Sequence, residues 1–462
     1  MIQRGTAPLP GQSRGRLALG ALLLACLPAG SLPVLSAPTV APAVAPAVRV
    51  DGTAWRGHGT LALISQGQLE LLDNRGAAHP VAGSGTASHP VVCANGGWVA
   101  YLRQGAAPPG NVFALPPPSL WVVRADGADP MRIAGDVASF TWSPQGERLA
   151  FTTQAGDGSL YLVAAPRSHP QLIASGATAH LELGPAAWAP RANRLALGVL
   201  ATGPTGIPRS AGLAIVTARA GSPLRVVYRE RGAGIEDVGW WPSGAGVVFW
   251  LDLGFSQSIA ADGLPLESLA VAGGAPRRLA LTLVHPSWLT WSPDGRTLAI
   301  VAGGNRLLWD GKRIVLCRIP EASCRAVPQP AGVIAYQPAW TPDGRLSFVR
   351  ARAAGPFGPD DFNVTVARLR AWDSSQRIWT AAADGATARA LAATGAGSLR
   401  PTWTPTGLLY VHDDALFLLG TAGQLPVQVA GPLTTPQPGT RADFPNVYYG
   451  YQGWSQLFSW GG

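Results

Sequence analysis

The chain has 462 residues, 47% of them hydrophobic and 13% charged, which excludes an intrinsically disordered protein and leaves ample material for a core. Its net charge of +9 is carried almost wholly by arginine, Lys312 being the only lysine, and no run of five or more basic residues occurs. Binding to a nucleic-acid backbone needs a contiguous basic footprint, so nucleic acid is not an expected partner.

Residues 1–27 read as an export signal. Arg4, Arg14 and Arg16 precede the apolar run 17–25, which is too short to span a bilayer. The run ends in Leu23-Leu24-Ala25-Cys26, similar to the bacterial lipobox, in which the cysteine is lipidated and becomes the new N-terminus. A plain signal peptide cleaved after an Ala-x-Ala site, 41–43 or 43–45, is the alternative. Residues 28–48, rich in Pro, Ala and Val, suit an extended tether. The expected location is periplasmic or at the cell surface, with membrane contact only through a lipid at Cys26.

Residues 49–430 are dominated by a repeating phrase. Trp142-Ser-Pro-Gln-Gly, Trp291-Ser-Pro-Asp-Gly, Trp340-Thr-Pro-Asp-Gly and Trp403-Thr-Pro-Thr-Gly are each followed by an apolar run. Looser copies start at Trp55, Val92, Trp188 and Trp240, so successive copies lie 37, 50, 46, 52, 51, 49 and 63 residues apart. A period near 40–50 residues marks a repeat architecture. Within the unit at Phe140 the runs 140–142, 149–152, 160–163 and 171–174 alternate with turn residues and show no helical period. Proline presets φ at the first corner of such a turn, and glycine accepts the positive φ that closes it. Each unit therefore predicts a four-stranded antiparallel meander, and radial repetition of such sheets is a β-propeller. The expected fold is all-β, a propeller of eight blades in preference to seven. Seven would follow if residues 50–83 only completed a blade with C-terminal strands. Each Trp is expected to end an innermost strand and to pack against the next blade.

The W-[ST]-P-[DQT]-G phrase followed by [LIV]-A-[FIL] resembles the WD40-like repeat of TolB-type propellers, found also in the propeller domain of prolyl oligopeptidases. The resemblance covers residues 50–430. The small α/β domain of TolB proper and the hydrolase domain of the peptidases have no counterpart here. Propellers host unrelated activities, so the resemblance speaks to fold and leaves function open.

Cys317 and Cys324 fall on the third and fourth strands of one unit, where antiparallel neighbours come within disulfide range in an oxidising compartment. Cys93 is expected as a buried free thiol. No nucleophile elbow, H-E-x-x-H, C-x-x-C or phosphate loop occurs, and the seven histidines fall singly in different units. No catalytic residue, cofactor or metal is therefore expected. In a meander the second-to-third-strand loops share one face with the blade crossovers. The long insertions 103–119, 200–211, 252–268, 303–312 and 350–376 all fall on that face, which is where binding concentrates on a rigid scaffold. They and the crossovers supply the candidate ligand-binding residues Phe113, Arg229, Arg231, Phe255, Trp309, Phe357, Asp360, Asp361, Phe362 and Trp372. Glu236, Asp237 and His285 lie on crossovers of the same face.

The tail 431–462 is rich in aromatics from Phe444 to Trp460, and such a segment is expected to pack on the propeller. The reading that follows is an exported, non-catalytic propeller binding a protein, peptide or cell-envelope polymer through its long-loop face. One alternative is an exported propeller lyase or hydrolase acting on a sugar or peptide, with Asp360, Asp361 and His285 as first suspects. Another is a structural component of an envelope or secretion complex, using the tail.

Overall fold

The phrase W-[ST]-P-D-G is a turn whose side chains close it from within. In the copy at Trp291, Ser292 Oγ donates to Asp294 Oδ1 at 2.6 Å and accepts the Thr297 N–H at 2.9 Å. Asp294 Oδ1 also accepts the Arg296 N–H, and Gly295 supplies φ +70°. The copy at Trp340 repeats the scheme, Thr341 Oγ1 bonding Asp343 and accepting the Arg345 N–H at 2.7 Å, with Gly344 at φ +83°. Ser or Thr, Asp and Gly thus each have a separate task in holding a first strand against a second.

A computed structural model describes residues 48–106, 116–154, 158–202, 208–255, 262–355, 366–420, 424–433 and 453–462. Residues 45–462 form one compact unit, an all-β ring of eight four-stranded antiparallel blades. Blade 3 shows the plan, with strands Val137–Trp142, Leu149–Thr153, Ser159–Val163 and Gln171–Ser175 laid down in chain order from the channel outwards. The core lies between consecutive blades. Ala150, Leu160, Leu162 and Ile173 of blade 3 pack on Leu183, Leu195 and Leu197 of blade 4.

The motif tryptophans bind backwards along the ring, against the expectation that they pack on the next blade. Trp142 Nε1 donates to Val91 O at 2.9 Å, Trp188 to Thr141 O at 3.1 Å, Trp240 to Ala187 O at 2.9 Å and Trp340 to Thr290 O at 3.2 Å. Each acceptor is the residue just before the motif position of the preceding blade. That blade also caps the indole with a guanidinium, Arg148 lying 4.9 Å over Trp188 and Arg194 5.5 Å over Trp240. A buried indole N–H needs an acceptor, and here that need becomes a stitch between blades.

Blade 1 departs from the sequence reading. Trp55 ends no inner strand; it closes the short helix Gly52–Trp55, fully buried, and donates to Gly59 O. The innermost strand of blade 1 is Phe458–Gly461, which pairs with Thr60–Ser65 in the register Leu61↔Trp460. Trp460 takes the motif place and donates to His58 O. At the other end Arg49–Val50 adds a fifth strand to blade 8 by pairing with Val427–Gly431. Both ends of the described propeller therefore close the ring, which leaves eight blades and covers two sheet edges.

Two insertions also differ from expectation. The described residues of the span 200–211 belong to a ladder, because Arg194–Thr202 and Pro208–Thr217 run into it from either side. The span 350–376 contains the helix Val366–Ser375. Residues 1–47, with Cys26 and most of the linker, and 434–452 of the tail lie outside the described residues. Among the described residues no helix is long and apolar enough to cross a membrane.

Candidate functional site

The inner strands surround the channel, and several of them carry the same defect. In blades 2, 7 and 8 the ladder skips two residues, His89-Pro90, Gln337-Pro338 and Arg400-Pro401, at the same offset from the motif position. His89, Gln337 and Arg400 adopt φ of +53°, +50° and +57°. Proline has no N–H to leave unpaired, so a bulge there costs the ladder little and re-aims the residue before it. Blade 5 skips Glu236-Asp237 in the corresponding region. Neighbouring bulges are joined directly, since the Arg400 N–H donates to Gln337 Oε1 at 2.7 Å.

Partial burial moves these groups away from their charged forms. Burial raises Asp237 to about 6, opposed by the Val238 N–H that its Oδ1 accepts at 2.8 Å. Burial raises Glu236 as well, with Asp252 and then Asp237 adding repulsion. A methyl group placed on Gly234 would sit 3.6 Å from Asp252 Cβ, 3.6 Å from Phe255 Cδ1 and 3.7 Å from Glu236 Oε1, so these side chains converge. His89 is lowered by burial. His285, packed 4.9 Å from Trp288, is lowered to about 4 by burial and then by Lys312. His285 stands on the crossover between blades 5 and 6, while the wall itself offers the imidazole of His89 and the amide of Gln337 beside carboxyls biased towards their neutral form. Such groups suit hydrogen bonding to amides and hydroxyls.

The loop 303–312 of blade 6 is organised by the chain's single lysine. Lys312 is fully buried, and its Nζ donates to Gly304 O at 3.0 Å, Asn305 O at 3.0 Å and Asp310 O at 3.1 Å. All three ammonium donors end on carbonyls of one loop. Burial lowers its pKa to about 8, with the charge of Asp310 opposing.

The residues expected to meet ligand are placed unevenly. Trp309 and Trp372 are only 4% and 7% exposed and meet edge-on at 6.0 Å, so they brace two loops and present no ring to solvent. The Ala354 N–H donates to Trp309 O at 3.0 Å and ties the same loops together. Phe255 is half-buried beside Glu236. Arg229 and Arg231 are exposed on the outermost strand of blade 4, Arg225–Arg231, and not on the channel wall. Phe113, Phe357, Asp360, Asp361 and Phe362 lie outside the described residues. Cys317 and Cys324 stand directly opposite in the ladder and are disulfide-bonded, while Cys93 is a buried free thiol. Among the described residues no group of three His, Cys, Asp or Glu side chains is arranged to hold a metal. His89, Gln337 and Arg400 escaped the sequence reading, although the x-Pro pair at constant offset before the motif was a visible signal.

Solved structures similar to this chain include a prolyl endopeptidase, at 12% identity over 76% of this chain and 50% of that one, with a TM-score of 0.47. They include a putative TolB from Agrobacterium tumefaciens, at 18% identity over 60% and 90%, TM-score 0.32. TolB from Acinetobacter baumannii matches at 14% identity over 69% and 74%, TM-score 0.36. The likeness is one of fold. The chain spans about half the length of the prolyl endopeptidase it matches. No family model and no curated protein matches it.

Proposed function

We propose that the chain is an exported, non-catalytic β-propeller that binds a protein, peptide or cell-envelope polymer at the long-loop end of its channel. The observation that carries this is the set of polar residues in inner-strand bulges, His89, Glu236, Asp237, Gln337 and Arg400. A bulge that recurs within one residue of the same offset, carrying half-buried polar residues in blades 2, 5, 7 and 8 and Gly184-Pro185 in blade 4, is a device for aiming side chains at a shared ligand. Export rests on the basic and apolar pattern of residues 1–27, and anchoring on Cys26.

The test compares wild type with the combined variant His89→Ala and Arg400→Ala, which spares the Gln337 Oε1 that accepts the Arg400 N–H, in capture experiments from the native envelope. Specific capture by wild type that the variant loses, with unchanged thermal stability, supports the reading. Equal capture by both would remove the channel wall as the binding surface. The enzyme reading draws its support from Glu236 and Asp237, because a carboxyl raised towards neutrality is what a general acid requires. Turnover of a peptide or glycan that vanishes in Glu236→Gln would establish that reading instead.

A further inference from the structure

Blade 7 collects three arginines on one face without a counter-charge. Its second and third strands are Leu346–Arg352 and Arg377–Ala381, and the register sets Arg350 directly opposite Arg377. Arg352, two residues along, projects to the same face. Like charges directly opposed across a ladder are destabilising. Among the described residues no carboxylate pairs with any of the three.

Arg350 is the most telling of them. It is 7% exposed, its Nη2 donates to Pro328 O at 2.6 Å, and its buried Nε has no acceptor. Its guanidinium lies 4.7 Å over the Trp379 ring and 5.1 Å over Phe348, which fixes its orientation. Arginine does not shed its proton in a protein, so a buried positive charge is left with ring faces and one carbonyl for company. Arg350, Arg352 and Arg377 line a cavity of about 430 Å³ together with Trp379 and the hydroxyl-bearing Ser374 and Ser375 at the end of the helix Val366–Ser375. That helix turns its C-terminal end to the cavity and contributes only partial negative charge. Its one acid in the last turn, Asp373, accepts from Gln376 Nε2 at 2.9 Å.

We propose that this cavity is a binding site for a small organic oxyanion, a carboxylate or phosphate carried on a ring-shaped body. The forked guanidinium of Arg377 offers paired donors that match the planar edge of such a group, and Arg350, held by Pro328 O and the two rings, adds a fixed positive charge beside it. Arg352 offers further donors, Ser374 and Ser375 already donating to Ala371 O and Trp372 O of their own helix, and Trp379 with the apolar remainder of the wall receives the ring. The cavity has room for a sugar acid or an amino-acid derivative rather than for a bare ion. The site is separate from the channel wall and does not depend on the function proposed above.

The experiment is calorimetric titration of the mature chain with glucuronate, N-acetylphenylalanine, its uncharged amide, phenyl phosphate and inorganic phosphate. Saturable binding of at least one ring-bearing oxyanion is expected, with none for the amide and weaker binding for inorganic phosphate. Arg352→Gln and Arg377→Gln involve exposed side chains and should keep the fold. Each should weaken binding by about tenfold or more, the loss of one charge-assisted contact, while leaving the melting temperature unchanged or higher. The double variant Arg229→Gln, Arg231→Gln removes the same charge from blade 4 and should bind as wild type does. Three results would overturn the proposal. One is no saturation by any probe up to about 10 mM. Another is undiminished affinity in Arg352→Gln and Arg377→Gln. The third is binding that arises only in Asp360→Asn, Asp361→Asn, which would make the chain's own acids the counter-ions.

Discussion

Lys312 offers the sharpest test of how the loops of this propeller are held. Replacing it with Met keeps the length of the stem and removes the ammonium, leaving Gly304 O, Asn305 O and Asp310 O without their donor. Hydrogen bonds to a charged group contribute roughly 1.5–3 kcal/mol each. Against them stands the cost of burying the charge: the fall from 10.5 to about 8 corresponds to about 3 kcal/mol. The three bonds outweigh that cost, so Lys312→Met should destabilise by about 3 kcal/mol. The native amine holds its proton less tightly than the unfolded one. Between pH 8 and 10.5 Lys312 therefore binds more protons in the unfolded chain, and wild-type stability should rise relative to that of Lys312→Met across that window, the buried Cys93 and tyrosines affecting both alike. The assay exploits the absence of any other lysine. Reaction of Lys312 with an amine-directed reagent, read by peptide mass spectrometry, reports opening of this loop alone. Native protein should be protected at Lys312 and the urea-unfolded chain labelled. Labelling of the native protein at the rate of a free lysine would refute the burial, and an unchanged melting temperature in Lys312→Met would refute the energetics.

Other perturbations probe the scaffold and the wall. Trp188→Phe removes the donor to Thr141 O and should cost about 1 kcal/mol, whereas Trp188→Ala also empties an inter-blade site and should cost about 3–5 kcal/mol, both measurable by chemical denaturation. Deleting residues 453–462 strips the inner strand from blade 1 and bares the edge of Thr60–Ser65; the shortened chain should aggregate, and a soluble monomer with the wild-type melting temperature would argue against closure by that strand. Asp237 is raised to about 6, so the native state holds protons that the unfolded state releases between pH 3.8 and 6, and this contribution to stability is lost as pH rises through 6. Asp237→Asn keeps the acceptor for the Val238 N–H and should raise stability at pH 7 by ~1–2 kcal/mol; no gain would show that the carboxyl is better solvated than its surroundings imply. Serine at both Cys317 and Cys324 should cost about 2 kcal/mol, as expected for so short a loop, and unreduced wild type should yield no alkylation at either position.

Replacing residues 355–372 with a flexible linker, attractive from the sequence because it spares every blade strand, would also delete Trp372. That ring is buried against Trp309, so the loss would reach the core of blade 7. Confining the replacement to 356–365 avoids this and remains a fair test of Phe357, Asp360, Asp361 and Phe362.

The repeat phrase determined most of the fold by itself, because its information is local. Ser or Thr, Asp and Gly close a turn through hydrogen bonds spanning five residues, and alternating apolar runs on either side have no alternative to a meander. The disulfide was legible for the same reason, since two strands joined by a short loop fix which residues stand opposite. The site was legible only as a face. The direction of each Trp stitch, the part played by Phe458–Gly461 as the first inner strand and the burial of Trp309 and Trp372 depend on partners roughly 50 to 400 residues away in the chain. The same is true of the bulged residues, whose common aim exists only once the inner strands stand around one channel. The three arginines of blade 7 look like scattered surface charge in the sequence. They become a cluster when the ladder sets Arg350 against Arg377 and the helix Val366–Ser375 folds back beside them, because register and long-range packing, not local preference, decide which charges must share a cavity.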